Sequence, residues 1–328
     1  MTDPRLTRRA ALAALAGAAG LPRPAQAQPA WPERPIRWVV PFPPAGTADI
    51  LSRLMAERLA PRLPQPVVVE NRAGAGGTLA ADIIAKARGD AHAVMVSNFA
   101  PHGVSPALFP NVPYDADRDF THMTLIGALP MVLAVNPNQP YRTLPEFIAA
   151  ARARPGGLRY AYGGNGTASH LIGLLLWRAA GVEVTGVPYR GAGPALADVL
   201  GGQVEAILET LPAAIGHLRA ERLRPLAVSS PARAAALPAV PNFTELGLGD
   251  ATGTNWFGFS GPAGMPDWLV QRWLAELRAV VAMPETGERL AQLGLEPVMS
   301  QPAEYTAFVR AELARWRRVV TEMNVRPD

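Results

Sequence analysis

The sequence predicts an α/β protein of two domains, with mostly parallel sheets and flanking helices. Three observations predict it. Short runs rich in Val, Ile and Leu alternate with helix-period segments, as parallel strands alternate with their crossover helices. Four of these runs end in glycine-containing loops that feed a helix start. The strand pattern begins afresh near Met131 and returns near Trp256, so a second domain is expected to be inserted within the first. At 328 residues the chain is long enough for each domain to bury its own core.

Residues 1–27 stand apart from this pattern. Arg5, Arg8 and Arg9 give a basic start, the 12 residues 10–21 are apolar, and Ala25-Gln-Ala27 is an A-x-A cleavage site. That is a secretory signal peptide, with an apolar run too short to span a membrane. Thr7-Arg8-Arg9-Ala-Ala-Leu12 also fits a twin-arginine signal, so folded and unfolded export both stay open. Without this segment, the 31 basic and 27 acidic residues of the chain become 27 and 26. A balance so close to neutral gives little support to nucleic-acid binding. The chain has no Cys, which excludes disulfides, thiol catalysis and a cysteine-linked lipid. No later segment has 18 uninterrupted apolar residues, so the mature protein is expected to be freely soluble outside the cytoplasm.

Strand 36–41 leads into helix 48–60, and strand 67–70 into helix 78–87. Strand 94–96 is followed by a loop punctuated by Pro101, Pro106 and Pro110. After the fresh start at 131–135 come helix 144–153, strand 158–162 and helix 168–180, whose Leu171, Leu174, Leu175 and Trp177 suit a core face. Strand 184–187 runs into a loop whose Pro194 fits the first turn of the next helix. Gly201-Gly202 stops that helix, ahead of strands at 204–208 and 226–228. A loop rich in Pro and Gly covers 237–254, 256–261 starts the return, and helices 266–282 and 303–322 finish the chain. On the last helix Tyr305, Phe308, Val309, Leu313, Trp316, Val319 and Val320 form one stripe, read as core packing. The expected division is 28–129 with 255–328 as the first domain and 130–254 as the second.

The glycine loops carry the functional signal. A strand that ends in a small-residue turn and opens a helix aims backbone N–H groups at one spot, and the helix dipole adds positive potential there. The loops ending at Thr47, Thr78, Thr167 and Gly193 all fit, and together they suggest a cleft for a small carboxylate. None completes the dinucleotide pattern G-x-G-x-x-G, because the third glycine falls on Leu79, Ser169 or Leu196. Thr47, Thr78 and Thr167 stand where helix N-caps belong, and equally where a hydroxyl can donate to an anion. Asp49, in the first turn of its helix, either complements the dipole or takes a ligand amine. His170 is a loop brace or a ligand contact, and Tyr189 covers a ligand or closes the core. Glu209 ends a strand near the cleft, where its charge would repel a carboxylate unless it met an amine or a cation. The five His show no metal-ligand spacing, and no nucleophile elbow, Walker loop or Cys/His pair is present. No metal, cofactor or catalytic role is expected.

At this point the chain resembles the Bug family of extracytoplasmic solute receptors, the binding-protein component of tripartite tricarboxylate transporters. The resemblance runs from Trp31 to about Val320. It rests on Pro41-Phe-Pro43, Glu70-Asn-Arg-Ala-Gly-Ala-Gly-Gly77, Pro113-Tyr-Asp115, Arg118-Asp-Phe120 and Gly164-Asn-Gly-Thr-Ala-Ser-His170. It continues through Val187-Pro-Tyr-Arg-Gly191, Gly201-Gly-Gln-Val204, Glu245-Leu-Gly247 and Gly261-Pro-Ala-Gly-Met-Pro266. Their order and spacing along the mature chain, rather than any one of them, carry the signal.

The resemblance implies a two-domain, hinged periplasmic binding protein of type II that closes on a small carboxylate. Carried over by position, its contacts fall on Phe42, Ala45, Gly46, Thr47 and Asp49, then on Gly76, Gly77 and Thr78, and on Ser97. The second domain contributes Gly163, Asn165, Thr167, His170, Tyr189 and Glu209. The chain departs from the family in three places. Pro44-Ala45-Gly46 stands where a Gly-Gly pair is usual, Asp90-Ala-His-Ala93 replaces an Asp-Gly-Tyr-Thr turn, and Glu209-Thr210 replaces Asp-Asn. The first and third bear on ligand identity, so the substrate is not inherited. The implied function is a monomeric receptor that passes its carboxylate to integral-membrane permease subunits. A sensor subunit serving a signalling protein, or a secreted enzyme using His170 as acid or base, are the alternatives.

Overall fold

The computed structural model describes residues 31–326, and the expected signal peptide lies outside them. The strands are β1 (Ile36–Val40), β2 (Val67–Asn71), β3 (Ala93–Asn98), β4 (Phe120–Val135), β5 (Arg159–Tyr162), β6 (Thr185–Pro188), β7 (Ala206–Thr210), β8 (Arg224–Val228) and β9 (Thr254–Pro262). The helices are α1 (Thr47–Leu59), α2 (Thr78–Ala85), α3 (Ser105–Leu108), α4 (Leu144–Ala153), α5 (Ala168–Ala180), α6 (Ala192–Leu200), α7 (Leu211–Arg219), α8 (Asp267–Val281), α9 (Pro284–Gln292) and α10 (Pro302–Glu322). Among the described residues the strands form one mixed sheet in the order β2-β1-β3-β9-β4-β7-β5-β6, with β8 also paired to β4. The parallel pairing expected from the sequence occupies both wings, where β1 pairs with β2 and β3, and β5 with β6 and β7. The centre is antiparallel, because β4 and β9 run from one wing towards the other.

The 16-residue β4 joins the two wings. Residues from Phe120 to Pro130 pair with β9, the last rung being Pro130 with Thr254. The next residue, Met131, pairs with Thr210 of β7, and Val132 to Val135 lie between β7 and β8. The sequence pattern revealed only the second part of this strand. Register shifts between His122 and Thr124 and between Leu125 and Gly127 break the alternation in the first part, and each shift reverses the face a side chain meets. Two further helices, α7 and α9, escaped the apolar pattern, although Pro212 and Pro284 stand in their first turns. Thr210 ends β7 and Leu211 opens α7 with no intervening turn residue.

Strand alternation sorts side chains into layers on opposite faces. Ile36, Trp38 and Val40 pack with α1 and α8, while Val39 packs with Ala80, Ala81 and Ile84 of α2. In the other wing Met131, Leu133, Val135 and Leu208 meet α4 and α5, and Val132, Ala134 and Ile207 meet α6 and α7. The α10 stripe is core, as expected: Tyr305, Val309, Trp316 and Val320 are buried, with Phe308, Leu313 and Val319 packed beside them. Trp256 and Trp316 both donate their indole N–H to Glu312 Oε2 at 2.9 Å, which ties α10 to β9. Among the described residues no helix is long and apolar enough to cross a membrane.

Candidate functional site

The carboxyl ends of β1, β3, β5 and β7 face one crevice, the place where open α/β sheets hold ligands. Its inner part is a chamber of about 50 Å³, lined on one side by Phe42, Gly46, Thr47, Ala48 and Asn98, and on the other by Gly163, Thr167, Ala168, Ser169, Gly191 and Ala192. Such a volume admits a few water-sized groups. An outer groove of about 480 Å³ shares Phe42, Pro43, Gly163, Thr167 and Gly191, and adds Gly76, Gly77, Asn165, Tyr189 and Arg190.

Three helices begin on the inner chamber: α1, α5 and α6. The N-caps of α1 and α6 are Gly46 and Gly191, and neither helix start has a side-chain cap. A helix start leaves backbone N–H groups without intrahelical partners, so these two offer theirs to whatever enters the chamber. The hydroxyl of Thr47 is buried on the chamber wall with no partner among the described residues. Thr167 differs, because it caps α5. Its Oγ1 accepts the His170 N–H at 3.4 Å and donates to Gly164 O at 2.6 Å. Among the described residues the inner lining holds no Lys, Arg or His, and its one acidic side chain is Glu209.

Glu209 is 8% exposed at the end of β7. Its Oε1 accepts the Thr210 N–H at 2.7 Å. Burial pushes its pKa up to about 7, against the opposing effect of that hydrogen bond. Next to it an amide chain crosses from one wing to the other. Asn98 Nδ2 donates to Asn255 Oδ1 at 2.9 Å and to Trp256 O at 2.8 Å, and Asn255 Nδ2 donates to Thr210 Oγ1 at 2.9 Å.

Of the residues singled out from the sequence, Phe42, Gly46, Thr47, Gly163, Thr167 and Glu209 line the inner chamber. Gly76, Gly77, Asn165 and Tyr189 line the outer groove, where the Tyr189 hydroxyl is bonded to Asp198 at 2.6 Å. The other five stand back from both linings. Asp49 Oδ2 accepts the Ala45 N–H at 3.0 Å and its Oδ1 accepts from Asn71 Nδ2 at 2.9 Å. Burial works to raise the Asp49 pKa, but hydrogen bonds from Arg53, Ala45 and Asn71 outweigh it and hold the carboxyl below its usual range. Asp49 thereby braces the turn in which Ala45 adopts a φ of 66°, a left-handed conformation that costs a residue with a Cβ about 1–2 kcal/mol. Thr78 opens α2 behind Gly77. His170 stacks on Tyr162, with centroids 4.8 Å apart, and its Nδ1 accepts the Gly166 N–H. Ser97 points into the first wing, bonded to the Tyr305 hydroxyl at 2.7 Å and to Ser260 at 2.9 Å. Its neighbour Asn98 faces the chamber instead. Asn98, Ser169, Gly191, Thr210 and Asn255 also line the chamber without having been assigned as contacts one by one, although Ser169, Gly191 and Thr210 lie in motifs read from the sequence. The signal for two of them was a polar residue at the last position of an apolar strand, Asn98 in β3 and Thr210 in β7.

This geometry can hold one compact anion by backbone N–H groups and dipoles, without a cationic side chain. The family model described as tripartite tricarboxylate transporter family receptor matches residues 51–325. The protein BugT of Bordetella pertussis is 36% identical over 305 residues, covering 93% of each chain. A solved R. palustris protein with adipate superposes with a TM-score of 0.87 at 32% identity, covering 91% of this chain and all of that one. MatC from Rhodopseudomonas palustris with bound malate gives 0.82 at 33%, covering 88% and all of the respective chains. With the family model spanning most of its length and BugT so similar throughout, the chain belongs to the tripartite tricarboxylate transporter family of receptors, periplasmic solute-binding proteins that include the Bug proteins.

Proposed function

We propose that the protein is a periplasmic receptor that captures a small carboxylate between two lobes and delivers it to a tripartite tricarboxylate-type permease. The observation that carries this reading is the meeting of the α1, α5 and α6 N-termini on one small chamber that has no basic side chain. The lobes are 28–129 with 255–328, and 130–254. The hinge lies where β4 passes from its last rung with Thr254 at Pro130 to its first rung with Thr210 at Met131. The N-terminus of α1 belongs to the first lobe, and those of α5 and α6 to the second. An anion between them bridges the lobes, so it binds the closed state better than the open one and shifts the population towards closure. The outer groove takes the remainder of the ligand, in keeping with the adipate and malate of the neighbouring structures. The closed receptor then acts as a soluble monomer that presents one surface made of both lobes to the permease.

The test is a thermal-shift screen of residues 28–328, unfolded and refolded to remove co-purified ligand, against mono-, di- and tricarboxylates, amino acids and aromatic acids. A concentration-dependent rise in melting temperature with one acid class is expected. No rise with any of them refutes the carboxylate reading.

A further inference from the structure

We propose that Glu209 meets the bound carboxylate as an uncharged acid, its Oε2 donating the hydrogen bond, so that capture of the anion by the ionised form of the site takes up one proton. This rests on the carboxylate reading above and adds the state in which the binding site must be. Oε1 is already engaged by the Thr210 N–H, which leaves Oε2. That oxygen lies 3.2 Å from the point a Cβ on Gly163 would occupy, and the same point is 3.7 Å from Gly191 C and 3.8 Å from Ala192 N. Oε2 therefore lies close to Gly163, on the same chamber that Gly191 and Ala192 at the start of α6 line, the spot that draws an anion. A carboxylate held there by N–H groups lies beside Oε2. Two ionised carboxylates side by side in so small a chamber repel, whereas one proton shared between them makes a short charge-assisted hydrogen bond.

The groups around Glu209 do not supply a competing charge. Among the described residues it has no ion pair, and no charged neighbour acts on its titration. Val132 is its partner on β4. From α1 come Thr47 and Asp49, the latter paired with Arg53 at 2.9 Å. From α5 come Thr167, Ser169 and His170, with the His170 ring on Tyr162. The segment before α6 brings Tyr189, bonded to Asp198, together with Arg190 in the outer groove. The free acid titrates at about 7, so below that pH the chamber is ready for an anion. Above it each capture must first draw a proton from solvent onto Oε2.

The experiment is titration calorimetry from pH 5.5 to 8.5 with acetate, succinate, glutarate, adipate and malate, in buffers of different ionisation enthalpy, on the wild type and E209Q. For the acid that binds, Kd is expected to be constant below pH 7 and to rise about tenfold per pH unit above it, with close to one proton taken up per site at pH 8. E209Q, whose amide donates at every pH, is expected to bind with one affinity across the range. A wild-type affinity that is flat or improves with pH overturns the proposal and leaves the carboxylate reading intact. An improvement with pH that E209Q abolishes shows that the ionised Glu209 favours binding, and overturns the proposal. A wild-type slope that persists in E209Q also overturns it. Where none of the five binds at any pH, the acid found in the thermal-shift screen takes their place, and a screen in which no acid binds overturns both readings. Buffer-dependent proton uptake is read on the wild type alone, so the test stands even where E209Q folds poorly.

Discussion

Replacing Gly163 by Ala puts one methyl group into the inner chamber with little other disturbance. The φ of Gly163 lies outside the left-handed region, so alanine adopts its backbone without strain there. The new Cβ would stand 3.2 Å from Glu209 Oε2 and 3.8 Å from Ala192 N, between the carboxyl and the start of α6. The carboxyl must move by a few tenths of an ångström, and the place of one ligand oxygen is filled. Losing one charge-assisted hydrogen bond costs about 1.5–3 kcal/mol, a rise in Kd of roughly ten- to a hundredfold. Stability moves the other way. Alanine restricts the unfolded chain and contributes about 0.4–1 kcal/mol where the native backbone accepts it. Affinity is thus expected to fall while the melting temperature of the ligand-free protein holds or rises slightly. Calorimetry with the acid found in the screen, alongside thermal melting, separates the two. Unchanged affinity refutes the seat of the ligand. A melting temperature several degrees lower shows that the residue serves packing instead.

Gly191→Ala is a harsher change, because φ is +111° and its Cβ would meet Pro43 Cγ at 3.1 Å across the crevice. Loss of measurable binding is expected with a stability cost of about 1–3 kcal/mol, and retained wild-type affinity would contradict the crevice-closing contact. Thr167→Val removes the α5 cap and is expected to lower stability by about 1 kcal/mol and weaken binding with it, whereas Thr167→Ser keeps both. Equal stability of the two variants in denaturant melts would deny the cap its role. Acid should destabilise the fold through the buried His102 and His122. Burial holds His122 down at about 4, and burial together with His122 holds His102 well below its ordinary value. Both stay neutral in the native state while the unfolded chain takes protons near 6.5. The stability they contribute is therefore present above that pH and lost as pH falls through it towards 4. His122 alone accounts for about 2 kcal/mol by pH 5. Denaturant midpoints that do not fall between pH 7 and 5 would contradict this burial.

The strand–loop–helix units were legible because apolar runs, small-residue turns and helix starts follow one another within a few residues. That local order revealed α1, α4, α5 and α10 with nearly their observed bounds. The first part of β4 was not legible, since its two register shifts, Gly127 and Pro130 interrupt the pattern that marks a strand. The chamber was located through its glycine loops, but single side chains were harder to assign. Ser97 and Asn98 differ only in which face of β3 they occupy, and a period of two makes a one-residue error decisive. Asp49 and Thr167 sit beside the crevice, yet Ala45 and Gly164 take up their oxygens. Such assignments depend on partners that only the folded chain brings together. Asn255 arrives from 157 residues beyond Asn98, too far for any local pattern to pair them.

The claim that helix N-termini from both sides of the crevice hold the ligand is tested most directly by amide NMR. Uniformly ¹⁵N-labelled protein, refolded without ligand, would be titrated with the acid that raises its melting temperature. The account predicts downfield shifts of the Thr47, Ala48, Ala192 and Gly193 amide protons, saturating together at one equivalent. Shifts confined to one side of the crevice, or centred on the separate groove around Leu144, Ile148 and Arg152, would contradict it.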